Sequence, residues 1–178
     1  MDITAYLVDW DKLDTEWKVN AAEPRWGSIA DSGEPWVRCP ETQVESSASY
    51  NSEVGDLFWG VADNLEPEER KALGDFLSAF ALNVREDDED EEFETPLEID
   101  REKRLYVASA LSPSTVERYI ALHSALPLDR IVEVANSELE NGISELESGE
   151  EFGKFINSWA QLLQEARQSA SGVLVVVG

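Results

Sequence analysis

Residues 173–177 read VLVVV: five consecutive apolar residues, four of them valine, with no polar side to offer water. Side chains alternate between the two faces of a strand, so a strand of this composition must be covered on both. β-Branched residues favour that pleated conformation. The segment therefore predicts a well-paired C-terminal strand inside a layered fold. The residues before it supply one layer. Phe152, Phe155, Ile156, Trp159, Leu162, Leu163 and Ala166 share one face at helical spacing, predicting a helix over 149–169. Gly172 suits the break between that helix and the strand.

The rest of the chain reads as material to pack around such a strand. ITAYLV at the N-terminus and RLYVASAL at 104–111 are further strand candidates. DWDKLDTEW predicts a helical turn after the first of them. Residues 56–64 predict a short buried helix. A longer helix is expected over 65–84, with Pro67 early and Glu68 and Glu69 in its first turn. At 112–126 either Ser112 caps, with Pro113 at the first helical position, or Ser114 caps, with Glu117 closing a capping box. A further helix runs from Asp129 towards Leu146, with Asn141-Gly142 ending or bending it. Between about 20 and 55, Pro24, Gly27, Gly33, Pro35 and Pro40 break any long element. That irregular region carries Trp26 and Trp36. The expectation is one α+β domain over residues 1–178. Its small sheet includes the N-terminal and C-terminal strands and is covered by several amphipathic helices.

Three stretches are similar to a known pattern. MDITAYLVDWDKL resembles the opening of the YfbM-like family of small bacterial proteins, where a first strand leads into a short helix. RLYVASALSPSTVERYIALHSAL looks like that family's strand and the Ser-Pro helix start after it. FINSWAQLLQEARQSASGVLVVVG is similar to its terminal helix, glycine and apolar strand. The resemblance covers about a third of the chain and implies an α+β fold. The family also carries a Trp-His segment, nearest here to DLFWGVADNL with Asp56 and Trp59. The histidines are missing from it, so no role of theirs carries over. The resemblance implies no activity.

Charge decides which partners are reasonable. The 178 residues carry a formal net charge of −24. Nucleic acid and anionic membranes have the same sign, so neither is expected as a direct partner. From 86 to 94 eight of nine residues are acidic: Glu86, Asp87, Asp88, Glu89, Asp90, Glu91, Glu92 and Glu94, interrupted by Phe93. Removing those eight charges from −24 still leaves −16 on the other 169 residues. The body is acidic too. A run like this predicts a solvated loop. It lacks the glycine and the alternating spacing of a calcium loop. No stretch of 18 apolar residues occurs, and the N-terminus lacks the basic and apolar regions of a signal peptide. The cytoplasm is the expected location.

Groups for familiar chemistry are scarce. His123 is the only histidine and lies on an apolar stripe with Val116, Tyr119 and Ile120, which predicts a core or boundary position with one hydrogen bond. Cys39 is the only cysteine, so it forms no intrachain disulfide. A histidine-based metal site is excluded by count. An all-carboxylate site stays open. No phosphate-binding glycine loop, nucleophile elbow or zinc-protease motif occurs, and no cofactor is expected. Trp59 and Trp159 sit in apolar patterns and read as core. Trp26 and Trp36 read as candidate anchors for a partner.

The leading expectation is a non-enzymatic, acidic protein-binding module, most concretely an immunity-type or antitoxin-type inhibitor of a basic protein. Glu86, Asp87, Asp88, Glu89, Asp90, Glu91 and Glu92 would steer the partner, and Trp26 and Trp36 would hold it. One alternative is a carboxylate-dependent enzyme, metal-assisted or not. Another is a housekeeping protein whose acidity is an adaptation to salt.

Overall fold

Val173 and Val175 are buried on one side of the C-terminal strand, Leu174 and Val176 on the other. The computed structural model in which they sit describes residues 3–19, 33–44, 48–80, 107–142 and 146–177. Among these residues the sheet has four strands: β1 (Ile3–Val8), β2 (Val37–Arg38), β3 (Val107–Leu111) and β4 (Gly172–Val177). Their order is β2-β1-β4-β3, and every pairing is antiparallel. β4 is therefore flanked on both edges, as its composition requires. Its register with β1 sets Tyr6 opposite Leu174 and Val8 opposite Gly172. An extra residue on β3 between Val107 and Ser109 makes a bulge against β4.

β2 pairs with β1 only at Leu7↔Arg38 and Val8↔Val37. Continued along the same register, Pro40 would face Ala5. Proline has no N–H to give to a ladder, so the strand stops there.

Six helices accompany the sheet among the described residues: α1 (Trp10–Val19), α2 (Ala48–Asp63), α3 (Pro67–Leu77), α4 (Pro113–Ala125), α5 (Leu128–Glu140) and α6 (Gly149–Gln168). Five of them, α2 to α6, share one core with Ala5, Leu7, Leu111, Val173 and Val175 of the sheet. That core is rich in rings. Trp159 meets Phe80 edge-on at 4.8 Å and Tyr119 at 6.4 Å. The Trp159 Nε1–H donates to the Phe76 carbonyl at 3.1 Å. Ser78 Oγ donates to the Asp75 carbonyl at 2.8 Å and lies 2.6 Å from Tyr119 Oη. Buried polar groups here have partners, as an apolar surround demands. Every residue of the 149–169 stripe is buried, from Phe152 to Ala166.

Capping residues fix the helix starts. Ser112 caps α4 by accepting the Thr115 amide at 3.2 Å, and Pro113 takes the first position, which settles the choice between Ser112 and Ser114. The Glu66 amide donates to the Glu69 carboxylate at 3.1 Å ahead of α3. α5 stops at Asn141, and Gly142 follows at φ +78°.

Several elements differ from the sequence expectation. DWDKLDTEW is a full helix rather than a turn, because Asp9 caps it and Leu13 is buried. The Asp9 carboxylate accepts the amides of Asp11 at 3.1 Å and Lys12 at 3.2 Å. α2 begins at Ala48 rather than near 56, since no proline interrupts the chain there and its buried face at Val54, Leu57 and Phe58 anchors the helix. β2 has no counterpart in the sequence expectation, because two residues are too few for any periodicity. α3 passes into a single 3-10 turn at Ser78–Phe80, and residues 81–84 of the expected helix lie outside the described set. Gly172 is not the helix break. It is the first residue of β4, and Ala170 at φ +50° makes the break instead. Among the described residues no helix is long and apolar enough to cross a membrane.

Candidate functional site

The face of the sheet turned away from the five-helix core carries a second, smaller cluster. Val8, Leu13, Ala110, Leu174 and Val176 form its buried centre. Tyr6, Trp10, Trp36 and Val37 pack against that centre and stay half-exposed. Strand alternation produces this division. On β1, Ala5 and Leu7 point to the main core, so Tyr6 and Val8 point to the second face.

Backbone hydrogen bonds hold the main chain at Trp36, and packing against Gly172 places the Trp10 indole. The Asp9 amide donates to the Trp36 carbonyl at 3.0 Å, extending the β1–β2 ladder by one step. The Val37 amide donates to the Glu34 carbonyl at 3.0 Å, turning the chain just before β2. Trp10 is the first residue of α1, and its indole lies over Gly172, where a Cβ would stand 2.7 Å from Trp10 Cε3.

The segment after β2 is tied to the body from the other side. Arg38 donates to Ser171 Oγ at 3.1 Å. The Glu165 carboxylate of α6 accepts the Glu41 amide at 3.0 and 3.1 Å and the Thr42 amide at 3.3 Å. Pro40 and Val44 are buried, Val44 in the main core. Trp36 is thus carried on a strap held at both its strand and its exit.

Four carboxylates stand within four residues of the two tryptophans in sequence. Asp9, Asp11 and Glu34 are exposed and Asp14 is half-buried. Over residues 3–14 and 33–38 the cations are Lys12 and Arg38, the latter engaged with Ser171 Oγ. What this face offers chemically is apolar contact and two half-buried indoles, with more acids than bases near them in sequence.

Of the residues expected to bind a partner, Trp36 lies on this face and is half-buried rather than free on a loop. Trp26 and the acids Glu86, Asp87, Asp88, Glu89, Asp90, Glu91 and Glu92 lie outside the described residues. Trp10 and Tyr6 join Trp36, and neither stood out in the sequence as a site residue. The alternation of ITAYLV held the signal, because Tyr6 and Val8 needed a cover on the face opposite Ala5 and Leu7. His123 is half-buried, its ring 5.4 Å from that of Phe76 and its Nε2 3.3 Å from Asn157 Oδ1. Cys39 is exposed. Among the described residues no three His, Cys, Asp or Glu side chains gather where they could hold a metal ion.

No family model, curated protein or solved structure matches the chain.

Proposed function

We propose that the protein is a non-enzymatic binding module for a basic protein, acting in the cytoplasm. The observation that supports this is the pair of half-buried indoles, Trp10 and Trp36, packed on one sheet face, with exposed Asp9, Asp11 and Glu34 within two residues of them in sequence. Aromatic anchors supply short-range affinity, and opposite charge speeds and orients the encounter. The net charge of −24 extends that attraction beyond the face itself. An inhibitor of the immunity type, capturing a basic enzyme, is the most concrete form of this reading.

The test is titration with a short peptide of mixed arginine and lysine. It is run at about 0.15 M salt, where charges farther apart than roughly 8 Å are largely screened. One-to-one binding that alters tryptophan emission and is lost in Trp36→Ala is expected. Binding that disappears at this ionic strength, or is unchanged in Trp36→Ala, counts against it.

A second reading has its own observation. Exposed acids occur on every described helix: Asp11, Asp56, Glu68, Glu117, Glu133 and Glu150 are one from each of α1 to α6. Charge spread in this way suits a protein whose acidity keeps it soluble in salt. In that case neutralising acids on any helix lowers solubility to the same degree, and the sheet face has no special part.

A further inference from the structure

We infer that the strap over residues 33–44 is a latched conformational unit. It lifts and shuts as one piece on a rigid base, and its latch is the pair of attachments made by Arg38 and Glu165. Trp36 rides on that piece. The inference goes beyond the binding-module reading and needs no partner.

The strap is lightly held along its length. Of residues 33–44, Pro40 and Val44 are buried, Trp36, Val37 and Thr42 are half-buried, and the other seven are exposed. Its ladder with β1 covers two residue pairs, extended by the Asp9 amide on the Trp36 carbonyl at 3.0 Å. The base is different. β4 is buried over 172–176 and paired on both edges, and α6 buries its whole apolar stripe. Segments with few buried apolar groups and exposed backbone bonds open at a lower free energy than the core. The strap therefore opens ahead of its base.

Both attachments sit at the C-terminal end of α6. Arg38 donates to Ser171 Oγ at 3.1 Å. That hydroxyl is itself placed, because Ser169 Oγ donates to it at 3.0 Å and the Ser171 amide closes α6 on the Ala166 carbonyl at 2.9 Å. The last carbonyls of a helix carry partial negative charge, which suits a guanidinium. The Glu165 carboxylate accepts the Glu41 amide at 3.0 Å and the Thr42 amide at 3.3 Å. An ionised acceptor makes the stronger kind of hydrogen bond. Cys39 and Pro40 are all that separates Arg38 from Glu41. Proline fixes its own φ and restricts the residue before it. A displacement at one attachment is passed to the other, and through β2 to Trp36. While the strap is shut, Trp36 packs on the cluster around Val8 and Leu174. When the strap lifts, the indole leaves with it.

The experiment is amide hydrogen exchange of the full chain, read residue by residue by NMR with no partner present. The Asp9 and Val37 amides have their acceptors on the strap, at Trp36 and Glu34. In the wild type they are expected to exchange faster than the β4 amides. Glu165→Ala removes the acceptor of Glu41 and Thr42. It is expected to speed exchange at Asp9 and Val37, which Glu165 does not bond, by at least about tenfold, the loss of one charge-assisted hydrogen bond. The β4 amides should change by less than about twofold. Glu165→Gln keeps an acceptor oxygen without the charge and should fall between the two. Arg38→Gln should in return speed exchange at Glu41 and Thr42, because coupling is reciprocal. No change at Asp9 and Val37 in either Glu165 variant, or at Glu41 and Thr42 in Arg38→Gln, would show that the attachments act separately and overturn the inference. Equal acceleration of strap and β4 would make Glu165 a support of the whole fold and overturn it too. Wild-type strap amides as slow as those of β4 would mean that the strap opens only with the whole molecule, which also overturns it. Each of these outcomes is independent of the peptide titration, so the binding-module reading stands or falls separately.

Discussion

Gly172 lies directly beneath the indole of Trp10: a Cβ at position 172 would stand 2.7 Å from Trp10 Cε3 and 2.8 Å from the Leu111 carbonyl oxygen. The first residue of α1, the first residue of β4 and the last residue of β3 therefore meet at one point. One of the two obstructing atoms belongs to a large ring and the other to backbone, so neither can give way cheaply.

Gly172→Ala is accordingly expected to destabilise the fold by about 1–3 kcal/mol, the range for overpacking a filled site. It should also displace the Trp10 indole from the sheet. Urea denaturation gives the first effect and tryptophan emission of the folded state gives the second. An unchanged midpoint and spectrum would mean that the indole is not seated there.

Ala170 is expected to be improvable. The Ser171 amide donates to the Ala166 carbonyl at 2.9 Å and the Ala170 amide to the Arg167 carbonyl at 3.1 Å. These two bonds form a Schellman closure of α6, with Ala170 in the left-handed position at φ +50°. An L-residue there is strained by about 1–2 kcal/mol, and glycine is not. Glycine also loses more entropy on folding, so Ala170→Gly should stabilise by a net amount of about 0.5–1 kcal/mol. A melting temperature that rises by a few degrees supports this; a fall would count against the closure.

These two residues also show how far the sequence could be read. Both faces of β4 were legible from VLVVV, because strand period and burial leave one solution. The α6 stripe was equally legible. Gly172 was not, because a glycine between a helix and a strand reads as a break, and the ring that requires it is Trp10, more than 160 positions away in the chain. The break itself fell to alanine, which carries no such signal. The candidate face was half legible. Trp36 stood out as an aromatic in irregular sequence, but its partner surface forms only when β1 and β4 pair. The two glycines that open α6 are another case. A Cβ at Gly149 would stand 2.6 Å from the Val132 carbonyl oxygen, and one at Gly153 would stand 2.9 Å from Val132 Cγ2, a close approach of α5 that neither helix's own pattern announces.

Stability should rise with salt. Exposed acids on all the described helices repel one another in the folded state more than in an expanded chain. The ion pairs work the other way, but each keeps at least one partner largely open to water and is weak: Arg70–Asp63 at 3.2 Å, Lys71–Asp75 at 2.9 Å and Arg130–Glu69 at 2.9 Å. Repulsion therefore outweighs the attraction within these pairs. Raising potassium chloride from about 0.01 M to 1 M shortens the Debye length from roughly 30 Å to 3 Å. The urea midpoint should move upward over that range, most of it below about 0.15 M. A midpoint that stays flat or falls would show that the pairs outweigh the repulsion.

The run at 86–94 lies outside the described residues, yet its composition makes a kinetic prediction. Eight acids in nine positions generate a strong local field, and only Phe93 offers an apolar contact. Such a run contributes to encounter more than to the final complex, so it should act on the association rate and leave dissociation nearly unchanged. Neutralising its acids to Asn and Gln should not lower the melting temperature and should slow association with a basic peptide at low salt. The wild-type rate should fall as salt rises from about 0.01 M to 0.15 M, while the neutralised variant responds much less. Trp36→Ala should show the opposite pattern, with faster dissociation and an association rate close to wild type, because an anchor on the sheet face acts after contact. Stopped-flow fluorescence of both variants across salt separates the two roles. Equal low-salt association rates for wild type and the neutralised run would remove the steering role and leave the run as a solubility device.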